Sequence, residues 1–470
     1  VAQFCTLKRA RRDAAQTWQR AERSVKIPLR KLLAGRVSAL WLVAVVVAAC
    51  AGAAAPALSA QPAAAQTGPA AAAPPVSAQP AAAPAAQAIP SAEQVRKILT
   101  QVSEITGMAL KRPVPIAVMS KEEWGQWVAD RMRESVKPAE LRIEETAMKM
   151  FGFVPADFDL RAATVDLMTE QAAAVYDHKT KRMIIVQGAA PDEMQEAVLV
   201  HELSHALADQ HFDMHRFLDK GPRSDESEAA RLAVVEGQAM WIMLEATLNH
   251  SGQSLKTNSA VLELMLPAMR DMAAAQYPVF GKSPLYLKES LLFPYSAGLK
   301  FQQAVVEKMD REAFAAVLRD PPRNTHQIIH PQLYLAHEVP ATVEPPEAEP
   351  RDKTKKLTDG DIGEMDVHVW FEQYGSKQEA DKLAPAWRAG RFELVENRAT
   401  KKPLLRWAIL WDSPESARQA FALYQKVVEG KSQGLIWKQR TDALAEGSNQ
   451  WGGLRIRWEG ARTEGLEGLP

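Results

Sequence analysis

Five consecutive residues in the middle of the chain, His201-Glu202-Leu203-Ser204-His205, have the types and the spacing of a metal site. Side chains four residues apart on a helix lie on one face, one turn above the other. Two imidazoles placed in this way can reach a single Zn²⁺. The carboxylate of Glu202, next to the first of them, can take a proton from a metal-bound water. The flanks, Val198-Leu199-Val200 and Ala206-Leu207-Ala208, leave Glu202 as the only charge in the window. A helix with so little charge is expected to be buried, and its polar groups then need partners. The competing explanation is two histidines and a glutamate hydrogen-bonded inside a core helix. It leaves three ionisable groups in an apolar setting, which is costly without a cation.

The helix that must carry these residues is legible. Ala189-Ala190-Pro191-Asp192-Glu193 puts a proline and two acids in a first turn, where both are favoured. Met194, Val198, His201, His205, Ala208 and Phe212 then follow one stripe at helical spacing. Two histidines leave a catalytic zinc one protein ligand short. Downstream, Asp225-Glu226-Ser227-Glu228 reads as a capping box that opens a second helix, running from Ala229 towards Asn249 and stopping near Gly252. Its middle, Ala233-Val234-Val235-Glu236-Gly237-Gln238-Ala239, sets an acid in an apolar stretch, followed by a glycine that lets another helix come close. Glu236 is therefore the candidate third ligand, against the alternative of a glutamate on a helix surface. Glu228 is the rival ligand, although its place in the cap already explains it.

A His-Glu-x-x-His helix followed by a helix carrying Glu236-Gly237-Gln238-Ala239 resembles the gluzincin branch of zinc metallopeptidases. The longer run from His201 to Phe212 is similar to a family of largely uncharacterised secreted bacterial proteins with predicted metallopeptidase domains. Two more stretches carry the resemblance: Glu170-Gln171-Ala172-Ala173-Ala174-Val175-Tyr176-Asp177, and Pro321-Pro322-Arg323-Asn324-Thr325 leading to Ile329-His330-Pro331 and Tyr334. Together they cover residues 92–340. The resemblance implies a zincin-like α+β fold, mainly helical with a small sheet. It implies His201, His205 and Glu236 as zinc ligands, Glu202 as general base, and a peptide or protein substrate. Such proteins often carry an acid two residues after the ligand glutamate, where this chain has Gln238; that departure bears on a contact to the ligands more than on the metal. Peptide hydrolysis also gains from a second donor to the oxyanion. His330 is the catalytic candidate for it, with Tyr334 as the alternative. His178, His211, His215, His250, His326, His337 and His368 receive no role.

The remaining sequence sets the context. The chain has 470 residues with 57 basic and 57 acidic side chains, for a formal net charge of zero. Nothing in that balance points to nucleic acid. Lys26, Arg30, Lys31 and Arg36 precede the apolar run Leu40–Ala49, so residues 1–52 read as a signal peptide or membrane anchor. Cys50 after Val47-Ala48-Ala49 resembles a lipid-attachment site. The fates open to this run are cleavage after Cys50, retention in the membrane, or a lipid on Cys50. All of them place the protein in the periplasm, in the cell envelope or outside the cell. Val1 and Val25 are both candidate starts, the second giving a signal of ordinary length. Cys5 and Cys50 are the only cysteines, so the body of the protein has no disulfide. Residues 53–90, almost all Ala, Pro, Gln and Ser, form a tether.

Residues 91–345 are expected to form the metallopeptidase domain. Ser91-Ala92-Glu93-Gln94 opens a first helix, Val114–Met119 is a strand, and Lys121–Arg133 and Ala139–Phe151 are helices. Arg182–Val186 reads as a strand. Its place just before the metal helix makes it the expected edge for pairing with an extended peptide, against the alternative of an interior strand. After a linker at 346–354, residues 355–470 read as a small α+β domain. Its expected helices are Ile362–Tyr374, Lys377–Leu383 and Ser413–Val428, and its expected strands Phe392–Asn397, Leu404–Trp411 and, last, Gly453–Trp458. The sequence therefore supports an exported zinc peptidase first. A zinc-binding envelope protein without proteolytic activity and a metal-free surface interaction module are the alternatives.

Overall fold

The computed structural model describes residues 89–135, 137–170, 174–187, 192–219, 224–347 and 352–470. The export signal, the Cys50 site, the tether and the expected helix start at 189–191 lie outside the described residues. The described fold is mixed α+β, a largely helical N-terminal part followed by a part built on one large antiparallel sheet.

Helix α1 (Ala92–Thr106) begins where its sequence said it would. Ser91 Oγ accepts from the Gln94 N–H, Gln94 Oε1 accepts from the Ser91 N–H, and Gly107 closes the helix at φ +73°. Strand β1 (Ile116–Met119) and helices α2 (Lys121–Ser135), α3 (Pro138–Phe151) and α4 (Leu160–Glu170) follow. The hairpin β2 (Ala174–Asp177) and β3 (Arg182–Val186) then leads to α5 (Asp192–Phe212) and α6 (Asp225–Asn249). Ser224, not Asp225, caps α6: its Oγ accepts from the Ser227 N–H at 3.1 Å. Helices α7 (Leu285–Met309) and α8 (Thr325–Ile329) complete this part, with short helical turns between them.

The small sheet has the order β1-β3-β2, with β1 parallel and β2 antiparallel to β3. The strand expected at the edge, Arg182–Val186, is therefore the central one. It bonds to β1 on one side and β2 on the other, so its backbone has no ladder left for a peptide.

Helix α6 is apolar nearly all round and is buried from Asp225 to Ala246 apart from Glu228 and Arg231, as a central core helix must be. It meets α7 at two glycines. A Cβ on Gly237 would fall 2.1 Å from the Gly298 carbonyl carbon, and one on Gly298 would fall 2.2 Å from the Ala233 carbonyl oxygen. The backbones touch there, which is the close helix approach expected of Gly237.

The large sheet runs β4 (Thr354–Asp361), β5 (Trp387–Asn397), β6 (Pro403–Trp411), β10 (Arg462–Leu469), β9 (Gly452–Glu459), β8 (Leu444–Asn449), β7 (Ile436–Arg440). Gly453–Trp458 is thus not the last strand: β10 follows it and pairs with both β6 and β9. Helix α9 (Glu364–Tyr374) starts two residues later than expected, because Gly363 is its cap and donates its N–H to Asp366 at 2.7 Å. Helix α10 (Pro414–Lys431), capped by Ser413, buries Ala417, Ala420, Phe421, Tyr424, Val427 and Val428.

The two parts share a continuous apolar core. Trp370 of α9 stacks on Phe153 at 5.2 Å between ring centroids. The final carbonyls at the end of α3, from Met150 to Gly152, find their partners in the second part. Lys431 Nζ donates to Met150 O, Trp370 Nε1 to Phe151 O, and Gln373 Nε2 and the Tyr374 hydroxyl to Gly152 O. Among the described residues no helix is long and apolar enough to cross a membrane.

Gly237→Ala tests the helix crossing. The added methyl has to displace backbone, so the expected loss of stability is at or above the ~1–3 kcal/mol usual for overpacking. Gly125→Ala in α2, where a Cβ meets nothing within 4 Å, is expected to gain about 0.5–1 kcal/mol from helix propensity. Denaturant unfolding of the two variants beside wild type measures both.

Candidate functional site

Helix α5 presents His201 and His205 one turn apart, their rings 4.7 Å between centroids and 83° to each other. Helix α6 crosses beneath and brings Glu236 to both. Glu236 Oε2 lies 3.1 Å from His201 Nε2 and 3.4 Å from His205 Nε2. His201 and Glu236 are 0 % exposed and His205 is 8 % exposed. The sequence candidates His201, His205 and Glu236 therefore converge, and they form one of two groups among the described residues whose donor atoms could hold one metal ion.

The residues fit zinc on two counts. Ligand atoms of a tetrahedral site with bonds of about 2.0–2.1 Å stand roughly 3.3 Å apart, close to the two separations observed. In addition Glu236 Oε1 is buried with no hydrogen-bond partner, a costly state for a purely structural cluster.

The electrostatics follow from burial. Desolvation pushes His201 down to about 4, so its imidazole is neutral, the form that ligates. Burial also opposes the charged form of His205, but the Glu236 carboxylate and, behind it, Glu202 outweigh it, and His205 is raised. In Glu236 burial likewise works against charge and is overcome by His205 and His201, so the carboxyl is held below its ordinary range. Glu202 is pushed up to about 8, chiefly by burial; His205 opposes the rise, Glu236 adds to it, and the Tyr176 N–H lowers it.

Glu202 is held by one oxygen. Its Oε2 accepts the Tyr176 N–H of β2 at 2.6 Å, while Oε1 is buried without a partner. Met183 of β3 donates its N–H to Pro115 on the β1 side. Its register partner Tyr176 accordingly turns its own N–H outward, away from the sheet and towards α5.

Residues that sequence reasoning quoted only as part of a run fix this arrangement. Asp209, one turn beyond His205, accepts from the Tyr176 hydroxyl at 2.8 Å, from Lys181 Nζ at 2.6 Å and from the Met214 N–H at 2.7 Å. It thereby ties the β2–β3 hairpin to α5, and burial together with this carboxylate raises the Tyr176 hydroxyl pKa. Gln210 accepts from the Lys111 and Arg112 N–H groups and donates to Arg112 O, fastening the lead into β1. Glu170 accepts from the Val279 and Phe280 N–H groups at the start of a short helix. The signal in the sequence was an acid and an amide directly after an apolar helix face.

Other candidates lie elsewhere. Glu228 is in the first turn of α6, eight residues or about 12 Å of helix axis from Glu236. Gln238 donates to Phe314 O at 3.0 Å and is no part of the centre. The Tyr334 hydroxyl donates to Asp320 O at 2.9 Å. His330, expected beside the zinc as an oxyanion donor, instead has Nε2 3.0 Å and 3.1 Å from the two Glu364 oxygens. With His326 it belongs to the second His/His/Glu group. The ring of His330, at the C-terminal end of α8, is turned towards Glu364 of α9.

No protein-family model, curated protein or solved structure matches the chain. The functional reading stands on the residues and their geometry.

Glu236→Ala is expected to lower the zinc content of the purified chain by about one equivalent, the amount one three-ligand centre holds. Glu228→Ala is expected to leave it unchanged. Metal analysis after dialysis decides between the two carboxylates.

Proposed function

We propose that the protein is a zinc-dependent peptidase acting outside the cytoplasm, with His201, His205 and Glu236 as metal ligands and Glu202 as general base and acid. The observation that carries this reading is Glu202. Its carboxylate is anchored at Oε2 and bare at Oε1, and it lies one residue from His201 in a group of three convergent ligands. Zinc bound there would supply an acidified water and polarise the scissile carbonyl.

The protein's own groups do the rest. Glu202 Oε1 takes the proton from the attacking water and, as the carboxylic acid, returns it to the leaving amine. Its metal-free pKa of about 8 suits a group that must both gain and lose a proton, and a nearby cation draws it down towards neutrality. The anchor to the Tyr176 N–H keeps Oε1 aimed while Oε2 stays fixed. The substrate edge is β2, which among the described residues pairs only with β3. The side-chain alternation of a strand gives Ala174 the same outward phase as Tyr176. An extended peptide can therefore pair with the backbone at Ala174 while its scissile bond reaches Glu202. The basic and apolar N-terminal runs support export.

Glu202→Gln keeps the shape and removes the base. It is expected to retain zinc and fold while losing peptide hydrolysis at least about a hundredfold, the scale of a positioned general base. The assay is cleavage of a denatured protein and a peptide library, with metal measured on the same samples. Undiminished cleavage by Glu202→Gln refutes the assigned role. Zinc-replete wild type that cleaves nothing favours a zinc-binding envelope protein.

A further inference from the structure

A second set of donors lies where the two parts of the chain meet. His326 in α8 and His330 at its C-terminal end are four residues apart, as His201 and His205 are, with rings 4.5 Å between centroids. Glu364, the first residue of α9, enters from the other part. His326 Nδ1 and His330 Nε2 both meet Glu364 Oε2, just as both imidazoles of the first centre meet a single oxygen of Glu236. The side chains of His326 and Glu364 are 8 % and 4 % exposed, and that of His330 is 22 % exposed, which leaves one open side for a water.

The surroundings favour a cation. Glu226 at the start of α6 accepts from both the N–H and the hydroxyl of Thr325, next to His326. A Cβ on Gly363 would fall 2.0 Å from Glu226 Oε1, so this second buried carboxylate lies directly beside the cap of α9. A second buried carboxylate thus adds negative charge close to the three donors. Two imidazoles and a carboxylate whose donor atoms all lie within 4.8 Å of one another are the donor set that borderline divalent metals take.

We propose that His326, His330 and Glu364 form a second zinc site, with water in the fourth position, which links α8 of the N-terminal part to α9 of the C-terminal part. The ligands come from either side of a linker, so the ion closes a loop of the chain. A metal bound only by the closed form stabilises that form by mass action. Along α6 the two centres, near Glu226 and Glu236, are separated by about 15 Å of helix axis, far enough to load independently. The proposal does not rest on the peptidase reading.

The test is zinc stoichiometry of the full chain after loading and dialysis, together with the zinc-dependent shift in thermal midpoint. Glu364→Gln keeps the size of the side chain and its hydrogen-bonding ability but removes the ligating charge. Wild type is expected to hold two zinc ions per chain, Glu236→Gln one, Glu364→Gln one, and the double variant none. The zinc-dependent midpoint shift that persists in Glu236→Gln is expected to vanish in the double variant. His326→Gln serves as a second probe and is expected to behave as Glu364→Gln does. A single ion in wild type that Glu236→Gln removes and Glu364→Gln keeps overturns the proposal and leaves the cluster hydrogen-bonded only. A single ion that Glu364→Gln removes and Glu236→Gln keeps upholds it and removes the first centre instead. Wild type without zinc overturns both.

Discussion

A carboxylate with no access to water, Glu236 facing His201 and His205, is the constraint around which the N-terminal part is arranged. Burying an ionised carboxyl is expensive unless opposite charge and hydrogen bonds offset the lost hydration. The two imidazoles offset it only partly, and Glu236 Oε1 stays bare. The cluster is therefore demanding in a way that packing alone does not explain, and a divalent cation removes the demand. Helices α5 and α6 must then run close together with their polar residues in register. The contact of Gly237 with Gly298 holds α6 against α7 one residue on from Glu236.

From this pair outward the structure serves to aim one side chain. Asp209 ties Tyr176 and Lys181 to α5, Tyr176 offers its N–H to Glu202, and Gln210 fixes the approach to β1. The second part is no loosely attached module. Its aromatic residues stack on Phe151 and Phe153, and its side chains satisfy the carbonyls at the end of α3. Lys431 combines both tasks: its buried ammonium bonds to Met150 O and to Glu467 at 2.7 Å. Burial lowers the Lys431 pKa, and the Glu467 carboxylate works in the opposite direction.

Local signals in the sequence were legible wherever a short-range interaction decides the outcome. Ser91 and Ser413 cap their helices as expected, and the convergence of His201, His205 and Glu236 followed from helical spacing plus one polar residue in an apolar helix. What stayed hidden depends on the order of pairing. Whether Arg182–Val186 is an edge or a centre is decided by β1, more than sixty residues earlier. Strands β4, β7, β8 and β10 escaped notice because they are rich in polar residues and three of them, β4, β8 and β10, contain glycine. Gly465 in β10 lies under the Trp407 ring, where a Cβ would fall 2.5 Å from it, so a residue that reads as a turn is required by packing. His326 drew no attention because its partner Glu364 belongs to the other part of the chain.

The central claim is that zinc lies among His201 Nε2, His205 Nε2 and a Glu236 oxygen. Crystals of the full chain grown with zinc, with diffraction recorded on both sides of the zinc absorption edge, test it most directly. The account predicts an anomalous-difference peak within about 2.0–2.2 Å of all three donor atoms, with a water in the fourth position next to Glu202. A map without a peak at that point, in which Glu236 remains hydrogen-bonded to His201, would contradict it.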